Sequence, residues 1–181
     1  MLIDALRSQL LVVDLQEKLL PVILDHERLL ASALWLIRAA QKVGVPVAAL
    51  EHYPKGLGRI VSEVRDLLPE GSIAQKVRFS AVAAGCLASL PGADRPQVVL
   101  IGIETHVCLL QTALELILEG KNVYVVADAV GSRHAADRDC ALARMRQEGV
   151  RIVSREMVVF EWLGEAGTPL FRTLSREFLR E

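Results

Sequence analysis

Apolar residues along this chain fall into two patterns, short unbroken runs and longer stretches with helical spacing. Gln9 to Val13, Val45 to Leu50 and Val98 to Ile103 are unbroken, as expected of strands buried on both faces, where no polar alternation is needed. Glu27 to Val43 instead sets Leu29, Leu30, Ala33, Leu34, Ile37 and Ala40 on one helical face and stops at Gly44. The same reading predicts strands over Ser72 to Lys76, Asn122 to Ala127 and Val150 to Val153. It predicts helices over Ile60 to Leu68, Ala81 to Leu90, Val107 to Leu118, Ala135 to Glu148, Glu156 to Leu163 and Pro169 to Arg180. Glu51 to Gly58 carries the Pro and Gly of a loop. Six strands mostly separated by helices predict one α/β domain over residues 1–181, with a parallel sheet covered on both faces.

Composition narrows the partners. The 52% apolar content and mean hydropathy of +0.34 are high for a soluble monomer, so a homo-oligomer is expected. A formal net charge of −1, with basic and acidic residues interspersed, offers no patch for nucleic acid or an anionic membrane and points to a small-molecule substrate. Asp14, Glu17 and Lys18 interrupt the N-terminal apolar stretch well short of the ~20 residues a membrane span needs. The first residues lack the basic head and cleavage site of a signal peptide, and the 3 cysteines show no CxxC spacing. A cytoplasmic protein with free thiols is the expectation. His26, His52, His106 and His134 are scattered, so neither a metal nor a cofactor is expected.

Candidate chemistry centres on Cys108, which follows the fourth strand at a strand-to-helix turn, the edge of an α/β sheet where ligands bind. Free amides of a first helical turn favour a thiolate there, and a nearby ammonium lowers a thiol's pKa from about 8.5. Asp14 ends the first strand and Lys76 the third, so both can converge on Cys108 at one edge. A carboxylate there can shuttle a proton for a thiol nucleophile, and backbone N–H groups at Glu104 and Cys108 can receive an oxyanion. Each residue also has a plainer role: Asp14 as a helix cap, Lys76 as a solvated surface charge. Cys86 and Cys140 are read as small buried hydrophobes, and His106 as pointing away from Cys108.

Val12-Val13-Asp14-Leu15-Gln16, Gln75-Lys76-Val77-Arg78-Phe79-Ser80 and Gly102-Ile103-Glu104-Thr105-His106-Val107-Cys108 occur in that order. Together they resemble the isochorismatase-like cysteine hydrolases, a superfamily that includes nicotinamidases and N-carbamoylsarcosine amidohydrolases. Glu51 to Gly58 and Ala141 to Gln147 resemble its isochorismatase domain-containing group. The resemblance implies a three-layer α/β/α, Rossmann-like fold with strand order 3-2-1-4-5-6 and a cis peptide at Ile103-Glu104. It implies Asp14 as base, Lys76 as cation and Cys108 as nucleophile, with Gln16, Tyr53, Phe79 and Thr105 expected in the substrate pocket. After strand two nicotinamidases carry an acid and several metal-binding histidines; here only Glu51 and His52 stand there. The expected activity is therefore metal-independent hydrolysis of a C–N bond in a small amide, ureido or related metabolite through an acyl-enzyme. The alternatives are a non-catalytic binding or interaction protein on the same fold, an isochorismate vinyl-ether hydrolase, and a redox-active thiol.

Overall fold

The computed structural model describes residues 1–178. Strands β1 (Ser8–Val13), β2 (Val47–His52), β3 (Ile73–Lys76), β4 (Gln97–Ile103), β5 (Asn122–Gly131) and β6 (Arg151–Val153) form one parallel sheet in the order β3-β2-β1-β4-β5-β6. The order reverses between β1 and β4, so the loops leaving these two strands diverge and open a crevice at the carboxyl edge.

Alternation along the strands builds two cores. Leu10 and Val12 of β1, Ala49 of β2 and Val99, Ile101 and Ile103 of β4 face one side, packed with residues of α1 (His26–Val43), α6 (Arg155–Leu163) and α7 (Pro169–Phe178). Leu11, Val13, Ala48, Leu50, Val98 and Leu100 face the other, packed with residues of α4 (Leu110–Leu118) and α5 (Ala135–Gln147). Both faces are covered, which is why the strand sequences show no polar alternation. Gly44 ends α1 at φ 83, its amide bonding back to Ala40 and Gln41, the stop expected from the sequence.

Several expected elements differ. Ala81 to Leu90 is not a helix but a series of turns. Thr112 and Glu115 of α4 accept hydrogen bonds from the Ala81 and Ala83 amides, Ser80 Oγ accepts from Val82 and Ala83, and Gly85 adopts φ 65. Side-chain acceptors thus take the amides a helix would have used. Pro54–Leu57 forms a single helical turn (α2) inside the expected loop, the helix expected over Ile60 to Leu68 contracts to Ser62–Arg65 (α3), and β5 continues four residues past Ala127. The helix after β4 begins with a wide π turn, Thr105–Leu109, a local form that often accompanies functional sites. The last helix is described to Phe178, and its expected end at Arg180 lies outside the described residues.

Candidate active site

The site is assembled where β1, β3 and β4 end. Val13 pairs with both Leu50 and Gly102, and His52 pairs with Lys76, so the ends of these strands lie level along the sheet edge. Gly102 makes the close approach possible: at φ 116 a Cβ would sit 2.0 Å from the Val13 carbonyl oxygen. Immediately after β1 the chain leaves the extended conformation, Asp14 adopting φ 52, a left-handed geometry that costs a non-glycine residue on the order of 1 kcal/mol. That turn breaks the strand's alternation one residue past β1 and presents the carboxylate to Lys76, whose Nζ donates to Oδ2 at 2.8 Å.

The ion pair is dry. Neither side chain of the Asp14–Lys76 pair has exposed surface. Oδ1 of Asp14 has no hydrogen-bond partner. Cys108, 4% exposed, lies within electrostatic reach of both groups. Burial raises the Asp14 carboxyl above the ordinary range, opposed by the Lys76 ammonium and by the Cys108 side chain.

Here the structure corrects the sequence reading of Cys108. Its thiol is pushed up to about 12, first by burial and then by the Asp14 charge, with Lys76 pulling the other way. Burial disfavours the thiolate, and the Lys76 ammonium that could offset it is paired with Asp14, so the resting sulfur is a thiol rather than a thiolate.

The remaining expected residues divide. The Ile103-Glu104 peptide is cis. The Glu104 carboxylate accepts from the amide and Nε of Arg133, and its carbonyl accepts from the Val107 and Leu109 amides. Gln16 is fully buried and spends its amide on backbone: Nε2 donates to the His52 and Gly58 carbonyls, and Oε1 accepts from the His52 amide. Thr105 is fully buried and donates to the Gly131 carbonyl. Tyr53 and Phe79 are both exposed, and the Phe79 ring lies 5.3 Å from that of His52. Tyr53 lines a cleft of about 470 Å³ that reaches Lys76 and is flanked by Lys55, Val77 and Arg78.

His106 turns toward β5 and α5, its Nδ1 3.0 Å from Ser132 Oγ, and does not form a dyad with Cys108. Cys140 is exposed and Cys86 half-buried, so the expected burial fails for the first and is incomplete for the second. The sequence reading missed Lys55, Arg78 and His52. All three stood inside quoted segments, Lys55 and His52 in Glu51 to Gly58 and Arg78 in Gln75 to Ser80, but were given no role there. A separate cavity of about 380 Å³ opens between the start of α1 and the end of β5, among Arg28, Asp128 and Arg138.

Residues 8–157 match the family model for the isochorismatase domain. Isochorismatase domain-containing protein 1 of Salmo salar is 38% identical over 164 residues, covering 89% of this chain and 57% of that protein, so the chain spans little more than half of that relative's length. Isochorismatase domain-containing protein 2 of Danio rerio is 37% identical over 172 residues, 93% of this chain and 85% of that protein. A solved structure described as the MAR1 ribonuclease of Caenorhabditis elegans superposes with a TM-score of 0.88 at 34% identity, over 100% of this chain and 94% of that one. With an ordered, level arrangement of Asp14, Lys76 and Cys108 and a family match across most of its length, this chain belongs to the isochorismatase family.

Proposed function

We propose that the protein is a cysteine hydrolase that cleaves a C–N bond in a small amide, ureido or related metabolite. One observation carries the reading: Asp14 is buried and bound to Lys76 through a single oxygen, leaving Oδ1 unpartnered beside the Cys108 thiol. A buried carboxylate oxygen without a donor costs stability, and such costs are tolerated where the group has chemical work.

In this mechanism Asp14 accepts the Cys108 proton as sulfur attacks the substrate carbonyl, and the new oxyanion is received by the Glu104 and Cys108 amides. Asp14 then returns the proton to the departing nitrogen, and the amine leaves behind a thioester on Cys108. Water gives its proton to Asp14 while its oxygen attacks the thioester, and the proton returns to sulfur as the acid departs. The sum is amide plus water giving acid plus amine, with Cys108 and Asp14 restored. Lys76 keeps Asp14 ionised and oriented, and the thiol remains protonated until substrate is in place. No metal or cofactor enters the scheme.

Ammonia release from a panel of amides and ureides, with Cys108→Ala as control, tests the proposal, and an unaltered rate in that variant overturns it. A second reading, a binding protein whose chemistry is silent, is favoured by the 4% exposure of Cys108. Intact-mass detection of an acyl group on Cys108 during turnover decides for the hydrolase; stoichiometric ligand binding with no adduct and no ammonia decides for the binding protein. Self-association, anticipated from the apolar composition, belongs to the same proposal and is read by sedimentation velocity.

A further inference from the structure

The cleft above Lys76 is electrically one-sided. Lys55 and Arg78 are exposed at its wall, and neither forms an ion pair or side-chain hydrogen bond among the described residues. No carboxylate lines the cleft. Glu51, reached through the lining residue Gln75, is occupied by Arg59, Gln75 and the Ile60 amide. Lys76 itself cannot serve as a third free cation, because its ammonium has no exposed surface and is bound to Asp14. Two uncommitted cations therefore face the cleft beside the apolar surfaces of Tyr53 and Val77, which are 51% and 75% exposed. A volume of about 470 Å³ suits a metabolite rather than a polymer.

We propose that this cleft selects a small amide that carries a carboxylate, with Arg78 and Lys55 receiving the carboxylate and Tyr53 and Val77 covering the apolar remainder. The inference rests on the hydrolase reading in calling the ligand a substrate and in taking the cleft, lined by Lys76 but not by Cys108, as the approach to the sulfur. A guanidinium presents paired donors to a carboxylate and a lysine supplies a point charge, so the two together favour an acid over its neutral amide.

Two measurements test it in parallel. The first compares hydrolysis of succinamate with that of succinamide, which has the same shape without the charge. The expected result is that the Arg78→Gln, Lys55→Gln double variant lowers kcat/KM for succinamate about tenfold more than for succinamide. The second needs no turnover: the intact protein is alkylated with iodoacetate or iodoacetamide, and the Cys108 and Cys140 peptides are followed by mass spectrometry, with the exposed Cys140 as internal reference. The anionic reagent is expected to be favoured at Cys108 about fivefold more than at Cys140, and the double variant is expected to erase that difference.

If neither amide is hydrolysed but the alkylation preference is present and erased by the variant, the hydrolase reading fails and the anion site stands. If both amides are cleaved with equal efficiency and alkylation shows no preference, the anion site fails and the hydrolase stands. A preference in either assay that survives the double variant overturns the assignment to Arg78 and Lys55. Protection of Cys108 by a short oligoribonucleotide where succinate gives none overturns the small-acid ligand.

Discussion

Two carboxylates are buried at the ends of adjacent strands of this sheet, and they are treated in opposite ways. Glu51 in β2 is 1% exposed, and both of its oxygens are used: Oε1 accepts from the Ile60 amide, Oε2 from Arg59 and Gln75. Asp14, just past β1, has no exposure; Lys76 bonds its Oδ2, the Cys108 thiol bears on the same carboxylate, and Oδ1 is left without a donor. The partners differ as well, since the Arg59 side chain is 61% exposed and that of Lys76 is not exposed at all. The fully satisfied Glu51 tethers a loop; the oxygen that Asp14 leaves without a donor in a dry pocket is the proton acceptor of the proposed mechanism. Burial alone does not mark a reactive acid, and the state of its second oxygen separates the two cases.

Exchanging their fates is the most direct way to break this comparison. Asp14→Asn keeps the shape and removes the base, so hydrolysis is expected to fall on the order of 10³-fold, with folding monitored by circular dichroism. Glu51→Ala should do the reverse. It strands the Ile60 amide and releases Arg59, costing about 3 kcal/mol in urea unfolding, while turnover measured well below the melting point changes little. A large activity loss from Glu51→Ala with unchanged stability would place chemistry on the wrong carboxylate.

The next contrast is one of pH. A thiol whose folded pKa lies above its unfolded value stabilises the fold fully below the unfolded value and loses that contribution as pH climbs toward the folded one. For Cys108 the window runs from the ordinary 9.0 to about 12. Wild-type stability should therefore drop relative to Cys108→Ala at about 1.4 kcal/mol per pH unit inside it, on the order of 2 kcal/mol by pH 10.5. Denaturant melts of both proteins at pH 8 and pH 10.5 read the difference, and parallel behaviour would mean that Cys108 is not held as a buried thiol.

The order of strands, the two-sided burial and the positions of Asp14, Lys76 and Cys108 were legible because each follows from local pattern plus one topological rule: apolar runs bury, and parallel strands end together. What escaped was decided by long-range hydrogen bonds. Ala81 to Leu90 has helical composition, yet Thr112 and Glu115, some thirty residues on, claim its amides. The protonation of Cys108 escaped because the sequence places Lys76 near the sulfur but shows neither how deeply the thiol is buried nor that the ammonium is paired with Asp14. Charge lists identify who is present; only geometry tells who is already spoken for.

Gln16 sharpens the point on a smaller scale. Expected in the pocket, it clamps the end of β2 and the Gly58 turn with three hydrogen bonds, all to backbone. Ala at this position leaves the His52 amide and two carbonyls without their partner, while Asp14, Lys76 and Cys108 lose no contact of their own. The expected cost is about 1–2 kcal/mol in unfolding, because water entering the loop replaces part of what is lost. Tyr53, the residue after His52, lines the cleft, so loosening this backbone should raise KM by a few fold and leave kcat within about twofold of wild type. A kcat loss rivalling that of Asp14→Asn would instead give the Gln16 amide a direct part at the reacting atoms, and the division between tether and reactant would have to be redrawn one turn closer to β1.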